Sequence, residues 1–84
     1  MAKVTVYTTN YCSFCTRAKM LLKQKGIAFD EIDVTDADDV RDDLVRRTGR
    51  LTVPQIFINE TSIGGYEELK ALDDEGKLDA MLAT

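Results

Sequence analysis

Cys12-Ser13-Phe14-Cys15 is the stretch of this 84-residue sequence with the clearest chemical use. Two thiols separated by two residues can exchange electrons as a dithiol and disulfide, share a metal, or sit inert as small buried hydrophobes. A closed structural zinc site takes about four Cys or His ligands, and the chain holds 2 cysteines and no histidine. One chain therefore falls short of such a site. Nothing at Met1-Ala2-Lys3 resembles a secretion signal, and no apolar run approaches the roughly 18–20 residues needed to cross a bilayer. The expected compartment is the cytoplasm, where thiols are kept reduced and a structural disulfide is disfavoured. Reversible thiol chemistry is the reading that remains.

The elements that must position these thiols follow from local patterning. Val4 to Thr8 alternates with a period of two and is rich in β-branched residues, which predicts a strand. After Asn10-Tyr11 a helix is expected, with Phe14, Ala18, Leu21 and Leu22 on its apolar face. Lys23, Lys25 and Gly26 suit its C-terminal end. A second strand fits Ala28 to Val34. Thr35 followed by Asp38 resembles a capping box and predicts a helix with Val40, Leu44 and Val45 as its buried stripe, ended by Gly49. Gln55 to Ile58 and Thr61 to Ile63 read as strands joined by a two-residue turn at Asn59-Glu60, where Asn supplies one positive φ. Gly64-Gly65 leads into a helix carrying Leu69 and Leu72. Gly76 breaks it, and Leu78, Met81 and Leu82 predict a last short helix.

The order is βαβαββα, with that short helix to follow, in one domain over residues 1–84. The first unit predicts parallel strands with a right-handed crossover, and the hairpin adds an antiparallel pair. The fold class is therefore α/β, a thioredoxin-like four-stranded mixed sheet flanked by helices. The net charge of −4 argues against nucleic acid as a partner, because phosphate binding needs a basic surface. Among the cluster Arg41, Arg46, Arg47 and Arg50, the last stands nearest the expected site.

Placed where a strand meets a helix, the two cysteines are not equivalent. The first turn of a helix offers unpaired N–H groups and a partial positive charge, and both favour an anion such as a thiolate. Cys12, at the cap, is the expected nucleophile. Cys15, one turn further in and shielded, is the expected resolving thiol. The only proline, Pro54, follows Thr52-Val53. A proline at a strand edge is tolerated wherever no ladder N–H is needed. In a second reading the Val53-Pro54 bond is cis and turns the Val53 backbone toward the active-site sulfur.

Three segments together resemble the glutaredoxin family: Cys12-Ser13-Phe14-Cys15, Thr52-Val53-Pro54 before Gln55-Ile56-Phe57-Ile58-Asn59, and Gly64-Gly65-Tyr66-Glu67-Glu68-Leu69. The short form is similar to bacterial dithiol members. The resemblance implies a cis Pro54 and a glutathione groove formed by Phe14, Arg50, Thr52, Val53, Pro54, Gly65, Tyr66 and Glu67. Val53 would pair with the cysteinyl backbone of glutathione, the start of the helix at Tyr66-Glu67 with its γ-glutamyl end, and Arg50 with its glycine carboxylate. The implied activity is glutathione-dependent reduction of protein disulfides and protein–glutathione mixed disulfides. The implied partners are glutathione and disulfide or glutathionylated proteins, such as a reductase needing dithiol electrons, with no membrane and a monomeric chain.

The sequence also departs from the family pattern. Thr9 stands where a lysine is common, Ser13 where a proline is, and Phe14 where a tyrosine is. Tyr66 replaces a frequent cysteine, and Glu67 and Glu68 replace aspartates. These departures keep two other readings open. One is a redoxin reduced by thioredoxin reductase. The other is a dimeric carrier of a [2Fe–2S] cluster held by Cys12 of each chain and two glutathiones, although no resident metal is expected.

Overall fold

The computed structural model describes residues 3–10, 12–50 and 53–82. Its elements are β1 (Val4–Thr8), α1 (Ser13–Gln24), β2 (Asp30–Asp33), α2 (Asp38–Thr48), β3 (Gln55–Ile58), β4 (Thr61–Gly64), α3 (Tyr66–Asp74) and α4 (Lys77–Leu82). The sheet order is β2-β1-β3-β4. β1 runs parallel to β2, with Thr5 opposite Asp30, and antiparallel to β3, with Val4 opposite Ile58 and Val6 opposite Ile56. This is the mixed thioredoxin-like sheet that the element order predicts.

The period of two in β1 and β3 sends Val4, Val6, Ile56 and Ile58 to one face, where Ala18 and Leu22 of α1, Leu69 of α3 and Leu78 of α4 complete the core. The other face carries Tyr7 and Phe57, edge to face at 5.7 Å, with the Arg47 guanidinium of α2 over both rings. α1 and α2 therefore cover opposite faces of the sheet, and the end of β1 lies between them. α1 stops in a Schellman arrangement: the Ile27 N–H donates to the Leu22 carbonyl at 2.9 Å and the Gly26 N–H to that of Lys23 at 3.0 Å. Gly26 has φ 71°, the left-handed conformation that this closure requires.

Four expectations change. β2 is shorter than Ala28 to Val34 and all four of its residues are exposed, because it is an edge strand with acids at three of four positions. Thr35 does not cap α2. Ala37 holds the cap position without a side-chain bond, and Thr35 Oγ1 instead accepts the Asn10 N–H at 2.9 Å. That bond ties the loop ahead of Cys12 to the end of β2. In α2 only Leu44 of the expected stripe is fully buried, with Val40 and Val45 half-buried. The two-residue turn takes positive φ at both Asn59 (50°) and Glu60 (71°), since a tight hairpin of this twist needs two left-handed residues whatever their type.

Candidate active site

β1 ends in Thr8, whose carbonyl accepts the Val34 N–H at 2.8 Å, and the chain then turns to the N-terminus of α1. Cys12 is the cap residue, with extended backbone (φ −104°, ψ 112°), and its Sγ accepts the Cys15 N–H at 3.1 Å. The same sulfur lies 3.5 Å from the Val53 carbonyl oxygen, to which its thiol donates. The Val53–Pro54 peptide is cis, and Pro54 is buried. Strand, helix start and proline loop thus converge on one sulfur.

Cys15 behaves oppositely. It is 1% exposed, and it packs inward with Ala18 and Leu22. Burial, then its hydrogen bond with Cys12, pushes its thiol up to about 12 from an ordinary 9.0, against a smaller opposing pull from the Thr9 backbone. The inward place was expected for Phe14, which is instead 46% exposed. The buried stripe of α1 runs through Cys15, Ala18 and Leu22, and Phe14 stands about 100° round the helix from Cys15, on the flank of that stripe. Phe14 leans on Tyr66 at 6.3 Å between ring centroids and forms one wall of a cleft.

That cleft, about 150 Å³, is lined by Phe14, Arg50, Val53, Pro54, Gly65, Tyr66, Glu67 and Glu68. The structure therefore brings together every non-cysteine residue expected of the groove except Thr52, which lies outside the described residues. Its far wall depends on glycine. β4 carries an irregularity, in which Ile56 faces Gly64 while Phe57 faces Ser62, and Gly64 takes φ 116°. This bulge re-aims the chain into α3. At Gly65 a Cβ would meet the Pro54 carbonyl oxygen at 3.4 Å, so the start of α3 comes close to the cis-proline loop.

Glu68 belongs to the cleft although the sequence reading did not assign it there. Its carboxylate bonds Arg50 Nη1 at 2.5 Å. That bond, outweighing burial, holds the carboxyl below the usual carboxylate range, with help from the backbone N–H groups of Glu68 and Gly65. As the third residue of α3 reaching back to the cap, Glu68 forms half of a capping box, and the acid three residues after Gly65 was the available signal. Arg50 and Val53 also line a second cavity of about 460 Å³ with Val34, Asp38, Arg41, Asp42, Leu44 and Val45. Arg41 makes no ion pair among the described residues. Thr9, at the position where a lysine is common, is 5% exposed, and among the described residues its Oγ1 has no hydrogen-bond partner. Among the described residues no three or more His, Cys, Asp or Glu side chains group to hold a metal, and no helix is long and apolar enough to cross a membrane.

A thioredoxin-like sheet with a Cys-x-x-Cys at the start of its first helix and a cis-proline beside it defines a dithiol redox protein. Comparison with known proteins carries this further. Residues 4–63 match the glutaredoxin family model. The chain is 48% identical to a glutaredoxin of Pseudomonas aeruginosa over 83 residues, covering 99% of each. It is 46% identical to glutaredoxin 3 of Escherichia coli K12 over 82 residues, covering 98% of this chain and 99% of that one. Among solved structures, the crystal structure of a buckwheat glutaredoxin–glutathione complex superposes with TM-score 0.92 at 32% identity, covering 98% of this chain and 77% of the other. The solution structure of a Brucella melitensis glutaredoxin gives 0.88 at 48% identity, with 98% and 89% covered. The chain belongs to the glutaredoxin family, and its chemistry is that of a thiol–disulfide oxidoreductase.

Proposed function

We propose that the protein is a glutathione-dependent reductase of protein–glutathione mixed disulfides and of protein disulfides. The observation that carries this reading is the position of Cys12 Sγ, which receives the Cys15 N–H at 3.1 Å beside a cleft with cationic and anionic groups on its walls. The thiolate is the nucleophilic form, and an N–H aimed at this sulfur gives the nucleophile a fixed position at the helix start. On a mixed disulfide, the Cys12 thiolate attacks the glutathione sulfur, the S–S bond breaks, and the protein thiolate leaves and takes up a proton. A second glutathione thiolate then attacks the Cys12–glutathione bond, releasing oxidised glutathione and restoring Cys12. On a protein disulfide, Cys12 forms the mixed disulfide with the substrate and Cys15 displaces it, leaving a Cys12–Cys15 disulfide for glutathione to reduce.

The cleft suits the ends of glutathione by charge. The Val53 backbone, beside Cys12, suits pairing with the cysteinyl residue, and the N–H groups at Tyr66-Glu67 suit the γ-glutamyl carboxylate. The carboxylate of Glu67 suits its ammonium. Arg50, with Arg41 in the adjoining cavity, suits the glycine carboxylate. The buckwheat relative, which forms a complex with glutathione on the same fold, supports the assignment.

The test is reduction of a small glutathione mixed disulfide coupled to glutathione reductase and NADPH. Wild type is expected to turn over, Cys12→Ser to be inactive, and Cys15→Ser to retain activity. Loss of all activity in Cys15→Ser would refute the monothiol route. An inactive wild type would refute the glutathione reading, and turnover with thioredoxin reductase in its place would name the other electron source.

A further inference from the structure

The charge of α1 differs from that of the molecule around it. The chain carries a net −4, yet Ser13–Gln24 contains Arg17, Lys19 and Lys23 and no acid. Lys19 is taken by Glu31 at 2.9 Å, and just beyond the helix Lys25 is taken by Asp73 at 2.6 Å. Arg17 has no ion-pair partner among the described residues. Its guanidinium carbon instead lies 5.3 Å from the centre of the Phe14 ring. Phe14 at 46% and Met20 at 53% are two of the three exposed large hydrophobics among the described residues, and both flank Arg17 on α1. Below them a shallow depression of about 320 Å³ is lined by Arg17, Met20, Leu21, Gln24, Tyr66 and Lys70. Tyr66 lines this depression and the cleft alike, so the two adjoin across its ring.

From this geometry we propose that the Phe14–Arg17–Met20 face of α1 is the docking surface for the polypeptide that carries the reacting cysteine, and that it selects substrates with an apolar residue and carboxylates beside that cysteine. The proposal rests on Cys12 being the attacking thiol. The cleft toward Arg50 and Glu68 is shaped for a small charged ligand, so a polypeptide bonded to the same sulfur leaves over the opposite wall, which Phe14 and Tyr66 form. There the apolar strip covers a side chain, and Arg17 meets a carboxylate. The net charge of −4 opposes an acidic partner at long range, so the cationic strip also orients the encounter.

The test uses two peptides identical except for aspartates or lysines flanking one cysteine, each activated as a mixed disulfide with a chromogenic thiopyridine. In single turnover the Cys12 thiolate attacks the peptide sulfur, the S–S bond breaks, and thiopyridine leaves and is read by absorbance. We expect the acidic peptide to react about tenfold faster than the basic one at low salt, with the ratio approaching one in high salt, as for a rim charge. Arg17→Glu is expected to invert the ratio. Met20→Ser is expected to slow both peptides while leaving dithiodipyridine, which is too small to reach the strip, unchanged. Wild-type rates within about twofold of each other, or a ratio that Arg17→Glu leaves unmoved, would overturn the proposal. None of these reactions uses glutathione. Failed turnover with glutathione therefore counts against the preceding reading alone, and equal peptide rates count against this one alone.

Discussion

Cys15 is a thiol that the fold withholds from solution, and alkylation can measure how strongly. With 1% of its surface exposed and its thiol pushed from 9.0 to about 12, it holds about a thousandfold less thiolate at neutral pH than a free cysteine. Alkylation proceeds through the thiolate, and although a more basic thiolate is the better nucleophile, burial shields the sulfur as well, so the native rate at Cys15 should fall by more than about tenfold. Iodoacetamide near neutral pH, followed by mass spectrometry, is expected to place a single adduct on the native protein, at Cys12, and to label Cys15 only after denaturation. In Cys12→Ser a hydroxyl stands in for the Cys12 thiol, and burial, the larger cause, remains. Labelling of Cys15 in that native variant within about tenfold of the denatured rate would refute the assignment of Cys15 as the shielded, second-acting thiol.

Three further outcomes test the scaffold. Leu22 is fully buried between α1 and the sheet, so Leu22→Ala should lower stability by about 3 kcal/mol, read as an earlier urea midpoint at unchanged slope. Glu31 is held below the usual range by its bond to Lys19, with a smaller contribution from Thr8, against burial. A carboxyl depressed on folding stabilises fully above its unfolded value of about 4.5 and loses that contribution as pH falls through its folded value. Glu31→Gln should therefore destabilise at neutral pH and flatten the acid limb of a thermal-melt profile, and an unchanged limb would contradict this. Gly64→Ala forces a side chain to φ 116° and places its Cβ 2.9 Å from Glu68 Oε1, so a loss of about 1–3 kcal/mol in thermal unfolding is expected.

Patterns that repeat within one element were the legible part of the sequence. The alternation of Val4 to Thr8, the glycines closing α1 and α2, and the turn at Asn59-Glu60 each act over a few residues, and each stands where expected. The same holds for Cys12 at a helix cap, because cap chemistry is local. What was not legible depends on partners far apart in the chain. Thr35 reads as a cap until Asn10, 25 residues earlier, offers its N–H. Phe14 reads as core because its spacing to Ala18 and Leu21 fits, but the stripe that meets the sheet is the neighbouring one, Cys15, Ala18 and Leu22, and only packing against other elements decides between them. Glu68 reads as one acid among several on α3, and only the approach of Arg50 across 18 residues makes it part of the cleft.

The sheet has unlike borders. β4 is uncharged along Thr61–Gly64 and kinked by its irregular register, while β2 presents Asp30, Glu31 and Asp33 along its outer side. An unpaired strand invites a second strand to add to it, and rows of carboxylates oppose that addition. Asp33 is held low by its bonds to Thr35, and Glu31 by Lys19, so both remain ionised in mildly acidic solution. Near the isoelectric point the repulsion that keeps an acidic protein dispersed vanishes, yet this border stays negative. The β2 side should then be protected from fibrillar stacking, leaving β4 as the side on which crowded or partly unfolded molecules would first join.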